Sequence, residues 1–497
     1  MPIIYLISFL FFCIISIFFI PNKNISILRN FSFLTSSFVF LTVLCLLLNF
    51  DISSSMLQWS VHFSWSSFLN IYYSGGVDGV SLLFLLLTSF LIPLCVLYSW
   101  NQFTYFFKEL MLLLFLIEFF LFNFFFVTDL FFFFVFFESI LFPMFILIGN
   151  YGSRQRKIHA SFQFFLFTTV GSFLMLIAIF LVFLHEGSTD FHILYYSAFS
   201  YELQLVLWLC FFISLAVKVP LFPVHIWLPE AHVEAPTIGS VILAGVLLKM
   251  GTYGMLRFLA PLFSFGNFFF NPLVFILSFM SIYYVSLITF CQIDLKKLIA
   301  YSSVAHMGYV TLGLFTYSFT GLQGSIFLML SHGIVSSLLF FLIGMLYDRY
   351  KTRLIFFYKS IYSYMPIFTL FLFFATLANV GFPGTIGFVG EFLLMFSFLF
   401  VSKVAFVFSS LGFLISITYS FWLYNRISFL LPFHIFVFSD LSKREFSITL
   451  PFVVMIFFFG LYPSCILNIL EPVSLFILNF NPFLFFFNLL MKFLIDH

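Results

Sequence analysis

Apolar runs of about 17 to 25 residues, the length a helix needs to cross a bilayer, follow one another along almost the whole chain, divided by short polar stretches. Read between that punctuation, the pattern predicts fourteen spans: 3–20, 31–50, 79–99, 110–127, 129–149, 160–184, 203–224, 236–257, 270–291, 297–317, 322–346, 364–400, 404–428 and 446–468. The runs are continuous rather than alternating, which excludes a lumen-lined β-barrel. The segment after Glu471 is apolar again and fits a fifteenth span or an interfacial helix. The first run has neither a basic leader nor a small-residue cleavage site, so it reads as a retained span.

Composition agrees with the pattern. The 497 residues are 63% hydrophobic and 8% charged, against roughly a quarter charged in a soluble protein. A soluble enzyme is excluded, and the starting class is a helical channel or transporter. A net charge of +2 is too small to imply nucleic acid. The six cysteines show no CxxC spacing, which argues against an iron–sulfur cluster or a metal site. With neither GxGxxG nor a Walker loop, the chain is not expected to bind nucleotide. Phenylalanine supplies 90 residues. Lipid-facing positions accept any bulky apolar side chain, so this excess fits the codon bias of a thymine-rich genome such as an organelle's.

Charge tests the span map. Fifteen of the twenty Lys and Arg fall in loops that follow odd-numbered spans, Lys23, Arg154, Lys296 and Arg353 among them. Arg257, Lys403 and Lys492 fall on the opposite side. The positive-inside rule then points the N-terminus to the outer compartment and the basic loops to the cytoplasm or matrix.

Five ionisable groups lie inside apolar runs: Glu118, Glu138, Lys218, Lys249 and Glu391. Each costs several kcal/mol in hydrocarbon unless it meets water or a partner. Two readings stand, a salt bridge holding helices together or a proton or ion relay. Five such groups exceed what helix adhesion needs. Glu138 and Lys218, as neighbours, would titrate as a coupled pair. Helix breakers stand beside two of the charges. Pro220 and Pro223 follow Lys218, and Gly381, Pro383, Gly384 and Gly387 precede Glu391. Broken helices at membrane depth line cavities or lie covered by protein, and paired breaks suit a transporter of repeated architecture. His225, His232, His306 and His332 add groups that both donate and accept protons. For each, a hydrogen-bonded core or loop histidine is the alternative, favoured for His232 between Glu230 and Glu234. Haem ligation would need paired histidines on facing spans, and no such pairing repeats.

The residues around these groups carry a resemblance. The run KVPLFPVHIWLPEAHVEAPTIGSVILAGVLLKMGTYGMLR (218–257) is the strongest part. TDLFFFFVFFESILFPMFILIG (128–149), QIDLKKLIAYSSVAHMGYVTLG (292–313), SHGIVSSLLFFLIGMLYDR (331–349) and GFPGTIGFVGEF (381–392) complete it. Across residues 75–430 the chain resembles the antiporter-like membrane subunits of respiratory complex I, a family shared with bacterial Mrp-type cation/proton antiporters. The resemblance implies an all-α polytopic fold of about fourteen transmembrane helices, with two inverted five-helix repeats that each contain a broken helix. The implied organisation is spans 1–3 in 1–109, a first repeat in 110–257, a second in 258–428, and a last span and tail in 429–497. It implies a proton relay of Glu138, Lys218, Lys249 and Glu391, supported by His225, His232, His306 and His332, with Glu118 a possible further site. It implies no cofactor in this chain, with NADH, flavin, iron–sulfur clusters and ubiquinone bound in other subunits. The implied partners are other membrane-arm subunits and lipid, in the mitochondrial inner membrane with the N-terminus toward the intermembrane space. An Mrp-type sodium/proton antiporter subunit is the alternative, and a silent scaffold of the membrane arm a third.

Overall fold

The computed structural model describes residues 2–66, 70–100, 102, 106–429 and 439–479. Among these, twelve helices are long and apolar enough to cross a membrane. In chain order the helices are α1 (Pro2–Phe19), α2 (Ile25–Leu48), α3 (Gly79–Ser99), α4 (Phe107–Phe126), α5 (Leu130–Tyr151), α6 (Lys157–Glu186) and α7 (Tyr201–Lys218). The short α8 (Trp227–Glu234) leads into α9 (Thr237–Leu262) and α10 (Ser264–Phe290). Then follow α11 (Leu295–Leu314), α12 (Phe319–Tyr350), the shorter α13 (Pro366–Val380) and α14 (Ile386–Val401), α15 (Lys403–Ser428), α16 (Lys443–Leu461) and α17 (Ser464–Asn479). Fourteen predicted spans therefore map onto this series. The fifteenth-span expectation reaches residues beyond 479, as does Lys492, and these lie outside the described residues.

Local chemistry sets the ends. Asp78 opens α3 with a reciprocal capping box to Ser81, and Asp129 accepts from the N–H groups of Phe131 and Phe132 at the start of α5. Ser442 and Glu445 form a second box at α16. Each satisfies donors that a helix start leaves unpaired. The predicted span 364–400, expected to be interrupted at residues 381–387, is two helices. α13 stops because Gly381 takes φ +71°, and Gly384 takes φ +88° before α14 begins; only glycine adopts such values without strain. The predicted span 203–224 likewise ends at Lys218, and the chain runs irregularly to Ile226 before α8. α9 carries two π-turns, Leu243–Leu247 and Met255–Leu259, on either side of Lys249.

One element has no place in a purely helical reading. Strands β1 (Gln58–Ser66) and β2 (Ile71–Val77) pair antiparallel, with Val61 opposite Gly75. A Cβ on Gly75 would overlap the Phe126 ring, so glycine lets β2 lie against the end of α4.

The chain divides into two compact units. The first holds residues up to Val219, Lys249–Pro272 and the stretch from Asn468; the second holds Pro220–Leu248 and Leu273–Leu467. In the first, α6 packs on α7, α2 on α3 and α1 on α4. In the second, α12 is the wholly buried centre, with α11, α14, α16 and the start of α9 against it. Phenylalanine is not confined to lipid-facing positions: Phe84, Phe115, Phe122 and Phe124 are fully buried, whereas Phe11, Phe12 and Phe18 are exposed.

Candidate functional site

The first unit brings Glu138, Lys218 and the Lys249 segment together. Glu138 projects from the middle of α5, and Lys218 is the last residue of α7, buried. The two groups lie in each other's electrostatic field, yet among the described residues they form no direct ion pair. Lys218 Nζ instead donates a long 3.4 Å hydrogen bond to the carbonyl of Phe137. It also sits 4.4 Å from the centre of the Phe137 ring, a cation–π contact. Lys249 is fully buried on α9. Its helix approaches the end of α7 closely because Gly251 has no side chain; a Cβ there would meet the Leu215 carbonyl oxygen at 2.7 Å.

Glu118 stands apart from this group. It is fully buried on α4, neither carboxyl oxygen accepts a hydrogen bond, and Cys13 and Cys95 are within its field.

In the second unit the break between α7 and α8 places His225 beside Tyr301 and Tyr284, with ring centres 6.4 and 6.5 Å away. His232 is buried flat against Phe340, centres 4.7 Å apart and planes 5° apart. His306 of α11 and His332 of α12 face each other with ring centres 5.7 Å apart. Glu391 lies in the second turn of α14, buried, with its carboxyl against Gly381 of the break. Tyr309 and Tyr419 lie in the field of that carboxyl. Gly381, having no side chain, thus leaves room for the Glu391 carboxyl.

Three charges taken from the sequence as loop charges are corrected by the structure. Arg257 is largely enclosed on α9, its side chain 11% exposed, and paired with Asp78, Nη1 to Oδ2 2.6 Å. Lys296 and Arg353 are buried. Each finds its partner far along the chain, so no local pattern announces the burial. Among the described residues no group of three His, Cys, Asp or Glu side chains is arranged to hold a metal ion.

Spans, breaks and buried charges together define a multi-pass helical membrane protein that keeps ionisable side chains at span depth. The profile of the NADH:quinone oxidoreductase/Mrp antiporter transmembrane family matches residues 127–418. NADH-ubiquinone oxidoreductase chain 4 of Chondrus crispus is 49% identical over 451 residues, 90% of this chain and 92% of that one. The chain belongs to the NADH:quinone oxidoreductase/Mrp antiporter family. A chain of respiratory complex I from Thermus thermophilus matches with a TM-score of 0.88 and 26% identity over 97% of this chain and 100% of that one. A chain of the Mrp complex from Dietzia sp. matches with a TM-score of 0.84 over 94% of this chain and 96% of that one; at 17% identity it shows the fold alone.

Proposed function

We propose that the chain is a proton-translocating, antiporter-like subunit of the membrane arm of respiratory complex I. The observation that carries the relay is the Glu138–Lys218 pair, two opposite ionisable groups at span depth that share a field without contact. The near-full-length similarity to chain 4 relatives supports the assignment to complex I. A proton from the basic-loop side is held at Lys249. Loosening of Glu138 from Lys218 makes the first unit release it. His225, His232, His306, His332 and Glu391 carry the step in the second unit toward the outer compartment. Glu118 is an accessory proton-holding group.

Electrons pass from NADH to ubiquinone in other subunits, which hold the flavin and iron–sulfur clusters. Neighbouring antiporter-like subunits and lipid surround this chain in the mitochondrial inner membrane, N-terminus toward the intermembrane space. The spans within 110–257 and 258–428 form two repeats of five. The breaks fall in the fourth span of each, and an odd number of spans makes successive repeats begin on opposite sides.

A native gel stained for NADH oxidation, with this chain located by mass spectrometry, tests the assignment. Comigration with a very large NADH-oxidising assembly is expected. A smaller assembly with sodium-dependent flux and no NADH oxidation would replace it with the Mrp-type reading. Lys249→Ala in the assembled complex tests the relay. Pumping is expected to fall while assembly persists, and unchanged pumping would leave a scaffold.

A further inference from the structure

A group of charges in the second unit has no part in the relay above. Glu234, at the end of α8, is 2% exposed. One helical turn earlier, Glu230 is 30% exposed at its side chain and pairs with Lys297, Nζ to Oε1 2.9 Å. Residues four apart on a helix share a face, with Cβ atoms about 6 Å apart. The two carboxyls therefore lead from the surface to the interior.

The surroundings of Glu234 are built rather than incidental. Arg353 NH1 is 3.7 Å from its Oε1, with the Arg353 side chain wholly enclosed. Lys296 donates a 2.8 Å hydrogen bond to the carbonyl of the adjoining Ala235 and lies in the field of Arg353, Asp348 and Glu234. The Tyr347 ring underlies Arg353, Lys296 and Lys351, at 4.7, 5.9 and 5.8 Å. Tyr301 lies in the field of Lys297 and Glu230. The segment bearing Arg353 is fixed by backbone bonds from Leu295 N–H to the Arg353 carbonyl and from Ile355 N–H to the Ile293 carbonyl. Within this frame Glu234 Oε2 accepts no hydrogen bond. An ion pair explains Oε1. It leaves unexplained a buried acceptor oxygen with no donor, which is costly to keep, one turn from a carboxyl at the surface.

We propose that Glu230 and Glu234 form a proton-uptake step of the second unit, resting on the reading of the chain as a proton translocator. Glu230 takes a proton from solvent. Its O–H bond breaks as an O–H bond forms on Oε2 of Glu234, directly or through one water, and Glu230 returns to the carboxylate. Arg353 and Lys296 are positioning residues that hold the Glu234 carboxylate ready. Once Glu234 is neutral, their two positive charges face each other without its counter-charge, which favours passing the proton onward.

The test compares Glu230→Gln, Glu234→Gln, Glu234→Asp and Lys249→Ala in the assembled complex in vesicles. NADH-driven proton uptake is followed against pH, with and without formate as a small diffusible acid. Glu234→Gln is expected to lower turnover about a hundredfold at every pH, the lower end of what positioned proton transfer contributes, and Glu230→Gln to lower it less, and at alkaline pH only. Formate should restore Glu230→Gln and leave Glu234→Gln unchanged, and Glu234→Asp should keep most of the rate. Normal uptake and pH profile in both Gln variants would overturn the proposal. So would a loss seen only in the amount of assembled complex, because that is what a purely structural cluster gives. If Lys249→Ala pumps normally, the translocation reading itself fails. If Lys249→Ala is silent while both Gln variants are normal, only the uptake step fails.

Discussion

Glu138→Gln keeps the shape of the side chain and removes one charge. Because Glu138 and Lys218 are coupled but out of contact, the loss is Coulombic rather than a broken salt bridge. For unit charges beyond direct contact, an effective dielectric of ~20 gives an attraction of about 3 kcal/mol. That corresponds to about a hundredfold in any equilibrium that depends on it. The other partners of the ammonium are weaker: a carbonyl at 3.4 Å and a ring at 4.4 Å, the latter contributing about 1–2 kcal/mol. Among the neighbours of the Lys218 ammonium, Glu138 therefore acts on it most strongly. The assay is NADH-driven proton uptake by the purified complex in sealed vesicles, with the amount of assembled complex measured in parallel. Glu138→Gln should reduce pumping by at least about tenfold, allowing for partial relaxation of the site, with assembly unchanged, and Glu138→Asp should retain an intermediate rate. Wild-type pumping by assembled Glu138→Gln complex would refute the switch.

Three further outcomes follow from the structure. Asp78→Ala removes both the α3 capping box and the partner of Arg257; stability should fall by about 3–5 kcal/mol, and adding Arg257→Met should recover a good part in a thermal unfolding assay. Gly381→Ala would place a Cβ on the Glu391 carboxyl at φ +71°, whereas Gly384→Ala at φ +88° meets nothing within 4 Å. Backbone strain of roughly 1–2 kcal/mol is common to both, so pumping should fall further in Gly381→Ala, and equal pumping in the two would refute a role for the break in seating Glu391. Burial lifts the carboxyl of Asp129, which caps α5 from outside the span, to about 6, against hydrogen bonds from Thr189, Phe132 and Phe131 and with Asp190 adding to the lift. Since its folded value lies above the ordinary 3.8, its contribution to stability is complete below about pH 4 and lost as pH rises through about 6. Asp129→Asn should flatten that stretch of the melting profile, and superimposable profiles would refute it.

The spans were legible because continuous apolar runs of helical length have one cheap solution in a bilayer. The breaks were legible because Gly381 and Gly384 are types that adopt positive φ. Where α13 and α14 read as one run, hydropathy alone masks a break whose residues are themselves apolar or small. The hairpin was missed for another reason. Its stretch QWSVHFSWS alternates over Trp59, Val61, Phe63 and Trp65, a strand signal overshadowed by the helical runs around it. The enclosure of Arg257 and the burial of Lys296 and Arg353 were not legible at all. Arg257 meets an aspartate 179 residues away, and loop position alone reads such a side chain as solvated.

The two charge pairs differ in geometry, and the difference suits adhesion in one and the proposed relay in the other. Arg257 and Asp78 touch at 2.6 Å, and Asp78 also accepts from the Ser81 N–H at the helix start. Such a pair is rigid, and any separation exposes two uncompensated, largely enclosed charges at a cost of several kcal/mol. Glu138 and Lys218 stand in a field without contact. Their attraction varies gently with distance, so a few ångströms of added separation at a dielectric of ~20 change it by only about 1 kcal/mol. That is small enough for a modest shift of α5 to supply, and large enough to move a proton equilibrium about fivefold. Pairs meant to hold helices together gain from contact. A pair meant to be switched gains from the gap, and the gap is what the structure holds at Glu138 and Lys218.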